Sequence, residues 1–271
     1  MVDTHALVAD LRAEQEELAG LLDGLDGADW ARPTPAPGWA IAHQVAHLAY
    51  FDRVAHTALT DEAAFREILN GAIADPEGFG EKAIAPLVEL APAALLSEWR
   101  DASDTLHSAL DSTPAGTRVP WFGPPMSLAS KATARLMETW AHGQDVVDAL
   151  GAARRPTTRL RHIVHIALRA RAYSYFAREL PMPEAEVRVE LTGPDGELWR
   201  MGPDGAEEVV RGDAEQFCLV LTRRRHVADT GLAAEGAAAE EWLRVGQTYA
   251  GGPGEGRAPG QFSRREGADQ S

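Results

Sequence analysis

The stretch "LMETWAHGQDVVDAL", residues 136–150, decides how this chain is read. Leu136, Val146, Val147 and Leu150 recur at helical intervals, and Gly151 follows as a stop. On that helix Glu138 and His142 stand four residues apart, so they leave the same face one turn from each other. A carboxylate above an imidazole is commonly a solvated surface pair. The same spacing also supplies two ligands of a metal site whose third comes from another helix.

Working back toward the N-terminus, "GWAIAHQVAHLAYFD" at 38–52 carries a second pair with that spacing, His43 and His47, again inside a helical pattern. Leu7, Leu11, Leu18, Leu21 and Leu22 predict an amphipathic helix from Thr4 to about residue 25. "GADWARPTPAPGW" then breaks the periodicity with three prolines. The second helix covers about 40–59, and a third, with Leu95, Leu96, Trp99, Leu106 and Leu110, covers about 93–110. Residues 61–90 read as short helices within a long connection. Ser127 caps the fourth long helix, which ends near Gly151. Four long helices with irregular connections imply a bundle whose inward side chains can build a site.

After 155 the pattern changes. A fifth helix is expected over 157–179, followed at Pro183 by alternating polar and apolar residues punctuated twice by Pro-Asp-Gly, which predicts a three-stranded meander. Asp213 caps a further helix to Leu221, and a last one covers about 237–249. The expected organisation is α-rich and two-domain: a helical bundle at 1–155, a bridging helix with a small α+β domain at 156–250, and a flexible tail at 251–271 rich in Gly, Pro and charge.

Composition excludes several functions. The 271 residues carry 41 acidic against 26 basic side chains, a net charge of −15, which argues against nucleic acid or an anionic membrane as partner. One cysteine, Cys218, rules out an internal disulfide and fits a reducing cytoplasm. No secretory signal and no apolar run of about 20 residues is visible. Nucleophile elbows, phosphate-cradling loops and dinucleotide fingerprints are missing from the sequence.

The candidate site follows from the two striped helices. If His43 and His47 on one, and Glu138, His142 and Asp145 on the other, face the bundle axis, their charges need pairing or a cation. Two imidazoles and one carboxylate suit Zn²⁺, or another borderline ion such as Ni²⁺, better than Mg²⁺ or Ca²⁺. Three protein ligands leave a fourth position open for a reactant.

"PTPAPGWAIAHQVAHLAYFD" at 33–52, together with "ETWAHGQDV" at 138–146, resembles the DinB-like superfamily and, within it, the mycothiol-dependent maleylpyruvate isomerase family, especially its metal-binding branch. The resemblance implies a DinB-like four-helix bundle holding a divalent metal on His47, Glu138 and His142, with His43 demoted to the pocket wall or to supporting a ligand. It also implies a sterol-carrier-like C-terminal module and mycothiol as cosubstrate, used on a small electrophile for isomerisation or S-transfer. Asp145 is expected to orient a metal-bound imidazole or a thiol group, Trp39 to wall the pocket, and Arg169 and Arg171 to bind a carboxylate of thiol or substrate. A metal-dependent hydrolase or lyase working through activated water, and a non-catalytic binding protein, stay open as alternatives, as does a homodimer.

Overall fold

The computed structural model describes residues 3–262, and these divide into two compact units between Ala153 and Arg154. The first unit is helical. Helix α1 (Thr4–Asp23) starts where the Asp3 carboxylate accepts the backbone N–H groups of His5 and Ala6. Helices α2 (Ile41–Thr60), α5 (Pro92–Ser112) and α6 (Leu128–Leu150) complete the bundle. The long connection anticipated at 61–90 contains two further helices, α3 (Glu62–Ala74) and α4 (Phe79–Val88). Ser127 caps α6 through Ser130 N, and Gly151 closes it at φ 62°, a left-handed conformation open to glycine. A two-residue pairing of β1 (Arg118–Val119) with β2 (Met126–Ser127) folds the segment before α6 into a hairpin.

Apolar residues of these helices, among them Leu18, Leu22, Val45, Leu48, Leu95, Trp99 and Val146, form one core. Inside it lies a charge. Asp52 is fully buried, its Oδ1 accepting from Arg135 Nε at 2.8 Å and its Oδ2 from Gln15 Nε2, Trp99 Nε1 and Ser103 Oγ at 2.9–3.2 Å. Gln15 in turn accepts from His107 Nε2 at 2.6 Å. One carboxylate thus ties α1, α2, α5 and α6 together. With both oxygens hydrogen-bonded, a group that would otherwise disfavour burial specifies how the helices register.

The second unit departs from the sequence expectation in three places. The single helix expected over 157–179 is two, α7 (Leu160–Arg169) and α8 (Arg171–Phe176), separated at Ala170. The meander is not one. Strand β3 (Val187–Thr192) pairs antiparallel with β4 (Leu198–Met201), but β5 (Glu208–Asp213) pairs parallel with β3 on its other edge, and β6 (Ala233–Glu235) follows, giving the order β4-β3-β5-β6. The second Pro-Asp-Gly segment therefore crosses the end of β3 instead of reversing beside β4. Gly202 makes the crossing: it adopts φ +107°, and a Cβ there would meet Arg188 Cα at 3.0 Å. Helix α9 (Ala214–Leu221) is capped by Asp213 as expected, and α10 (Ala237–Val245) ends at Gly246.

Residues 251–262, expected to be part of a flexible tail, are tied down instead. Tyr173 bonds both the N–H and the carbonyl of Gly251, Arg178 donates to Pro253 O, Arg223 donates to Glu255 O, and Gly260 N donates to Asp229. The rest of the expected tail lies outside the described residues. Among the described residues no helix is long and apolar enough to cross a membrane.

Candidate metal centre

Helices α2 and α6 bring His47, Glu138 and His142 together. One ligand atom from each lies within 4.8 Å of the others, and among the described residues no other three His, Cys, Asp or Glu side chains converge this way. Glu138 Oε2 is 3.4 Å from His47 Nε2 and 3.2 Å from His142 Nε2. The side chains are 19 %, 21 % and 12 % exposed for His47, Glu138 and His142, so the cluster is partly open to solvent.

The hydrogen bonds around His142 determine its tautomer. Thr34 Oγ1 donates to Trp39 O at 2.8 Å, which spends its proton, so the hydroxyl oxygen accepts from Gln44 Nε2, also at 2.8 Å. That leaves Gln44 Oε1 facing His142 Nδ1 at 2.6 Å, and a carbonyl oxygen can only accept. His142 therefore carries a proton on Nδ1, which leaves Nε2 as the ring nitrogen that faces Glu138. Fixing a ligating imidazole through its other nitrogen is how metal sites orient their histidines.

Burial, together with the neighbouring His142, lowers the His47 pKa to about 4, so this ring is neutral at pH 7. For Glu138 burial pushes the pKa upward, but hydrogen bonds from His142 and His47 outweigh it and hold the carboxyl well below the usual range. Neutral imidazole with ionised carboxylate is the state in which these groups bind a divalent cation. Donor chemistry, tautomer and accessibility all fit a zinc-type ion at this position.

Around the cluster, Trp39 stacks on the His142 ring at 6.0 Å and lies 5.6 Å from that of His47. His43 behaves differently. Its Nδ1 accepts the backbone N–H of Ala40 at 3.2 Å, so it closes the first turn of α2 and is absent from the converging donors. The His142 ring nitrogens face Gln44 and Glu138, and Asp145 is buried further along α6. Gln44 is the residue that orients His142. Its only sequence signal was a position three residues before His47, one turn away on the same helix. In the second unit Arg169 is exposed, whereas Arg171 is buried and donates to Ala185 O at 2.9 Å, so the two do not present one common face. Cys218 is fully buried, and that burial raises its pKa well above the ordinary thiol value.

The chain is similar to known proteins over most of its length. Residues 11–147 match the family model for the mycothiol maleylpyruvate isomerase N-terminal domain. An uncharacterized protein of Mycobacterium tuberculosis, matched in strains CDC 1551 / Oshkosh and H37Rv, is 49 % identical over 257 residues, covering 95 % of this chain and 100 % of the relative. Crystal structures of the mycothiol-dependent maleylpyruvate isomerase and of a histidine-to-alanine mutant of it superpose with TM-scores of 0.60 and 0.59. Both are 18 % identical, over 88 % of this chain and 96 % of those, which is a likeness of fold.

Proposed function

The chain belongs to the mycothiol maleylpyruvate isomerase N-terminal domain family, with a DinB-like fold, and from that premise we propose that it is a metal-dependent enzyme presenting a low-molecular-weight thiol to a small electrophile. On this reading His47, Glu138 and His142 hold a divalent cation, zinc being the ion the donor set suits best and nickel a substitute. The thiol is mycothiol, and the reaction is cis–trans isomerisation of an activated alkene or S-transfer. Residues 1–155 are the metal-binding bundle. Residues 156–250 are the sterol-carrier-like module of the family, for which no ligand is assigned. The enzyme is cytoplasmic on this reading.

A bound divalent cation supplies acidity, lowering the pKa of a thiol delivered to its open side into the neutral range. The chain's own residues do the rest. Glu138 contributes a full negative charge and His142 a lone pair whose direction Gln44 fixes. Trp39 shields one side of the cluster from water, which strengthens the electrostatics there. Cys218, sealed in the core of the second unit, is unsuited to serve as the sulfur, so the thiol comes from outside.

The observation that carries the reading is the convergence of three donor atoms within 4.8 Å. Elemental analysis of the purified protein, with His47→Ala and His142→Ala beside it, tests the site. Each variant should lose roughly tenfold or more of its metal on dialysis. Unchanged stoichiometry in both would remove the site. Turnover of electrophilic alkenes and epoxides that vanishes when thiol is withheld separates this chemistry from hydrolysis by activated water.

A further inference from the structure

The turn that closes α9 uses an arginine where glycine is usual. Arg224 N donates to Leu219 O at 2.7 Å and Arg223 N to Val220 O at 3.0 Å, a paired closure that leaves Arg223 in the left-handed region at φ 65°. A Cβ disfavours that conformation, so the position keeps its guanidinium against a backbone preference. Among the described residues the other non-glycine residue at positive φ is Glu179, which follows Arg178 directly. Strained backbone of this kind gathers at functional sites. The two arginines are neighbours: burial, and after it the charge of Arg223, lowers the Arg178 pKa.

Among the described residues every acceptor of these two guanidinia is a neutral oxygen. Arg178 donates to Gln247 Oε1 at 2.6 Å, Ser174 O at 3.2 Å and Pro253 O at 3.3 Å. Arg223 donates to Arg244 O at 2.9 Å and Glu255 O at 3.0 Å, and its Nε is buried with no partner among the described residues. Pro253 O and Glu255 O are two residues apart on one segment, "GGPGEG" at 251–256, which lies across both side chains. Tyr173 tethers the start of that segment at Gly251. Gly256 rests on the Arg223 guanidinium, where a Cβ would meet Nη2 at 2.7 Å. Arginine bonds an ionised oxygen about twice as strongly as a neutral one, so these carbonyls stand where the oxygens of an anion would be held better.

We propose that Arg178 and Arg223 form an oxyanion site within the second unit, and that residues 251–256 are a strap whose carbonyls fill it when no ligand is bound. The ligand is a phosphoryl dianion. Its charge of about −2 answers two guanidinia, and its separate oxygens can accept from both side chains at once. Binding exchanges Pro253 O and Glu255 O for phosphoryl oxygens and frees the strap from the arginines. The site lies wholly in the second unit and does not depend on the metal chemistry proposed for the first.

Hydrogen exchange of the full wild-type chain tests the exchange of strap for ligand without any variant. Inorganic phosphate and glycerol phosphate are the probes, with sodium chloride of matched ionic strength beside them. Either phosphate should quicken exchange of the strap amides roughly tenfold over chloride, since the strap loses its anchors on the arginines. Release by both identifies the phosphoryl group as the ligand, and release by inorganic phosphate alone identifies the free ion. Equal exchange in all three salts would overturn the proposal. Calorimetry with inorganic phosphate then asks which residue binds. Arg223→Gly installs the residue that the turn favours, so it should unfold no earlier in urea than wild type yet bind phosphate roughly tenfold more weakly, the usual effect of losing one charge-assisted contact. Wild-type affinity in that variant would place the anion elsewhere and reject the site.

Discussion

Gln44 Oε1 accepts a hydrogen bond from His142 Nδ1 at 2.6 Å, joining α2 to α6 beside the three converging donors. It follows that a residue outside the ligand set decides which nitrogen of His142 is available. Gln44→Leu should keep the fold, since the position is buried, yet weaken metal binding by about 10- to 100-fold. Competition against a chromophoric chelator measures this. Affinity equal to wild type would show that the tautomer is set by something else.

The Asp52–Arg135 pair answers differently to single and double substitution. Removing either partner strands the other in the core, so Asp52→Asn or Arg135→Met should each cost about 3–5 kcal/mol in urea unfolding. Replacing both by apolar residues removes the stranded charge, and the double variant should be more stable than the sum of the single losses. Simple additivity would mean that the pair does not act as a unit.

Lys131 makes stability depend on pH. Burial, with a smaller contribution from the Arg135 charge, lowers its pKa to about 6, against about 10.4 in an unfolded chain. Between those values the unfolded state binds a proton that the folded state does not, so this side chain's contribution to stability falls as pH drops. Lys131→Met removes that penalty. Its advantage over wild type should be smallest near pH 10 and grow by about 1.4 kcal/mol per unit of pH down to neutrality. Urea titrations at pH 7, 8 and 9 read the slope, and a difference independent of pH would contradict it.

Cys218 tests the origin of the sulfur. Its thiol is buried and held protonated, so iodoacetamide should label it in urea and leave it essentially untouched in the folded protein. Cys218→Ala should retain thiol-dependent turnover in full. Loss of turnover in a folded Cys218→Ala chain would bring the protein's own sulfur back into the chemistry.

The sequence by itself determined the elements and the local pairings. Helical spacing in 136–150 put Glu138 and His142 on one face, the leucines of α1 and the caps Ser127 and Asp213 marked helices, and the single cysteine pointed to an external thiol. Such signals reach only about one turn along the chain. The two histidines of α2 show the limit: His43 and His47 share a face, but His43 sits in the first turn, where its ring satisfies an otherwise unpaired backbone N–H, and only His47 reaches across to α6. Tertiary structure alone decided that Gln44 holds His142. It also buried Asp52 and Arg135 together, set Lys131 beneath Trp121, and carried β5 across to lie parallel with β3. Each of these depends on which surfaces meet between elements distant in sequence, and a side chain's position around its own helix does not specify what the neighbouring helix will present to it.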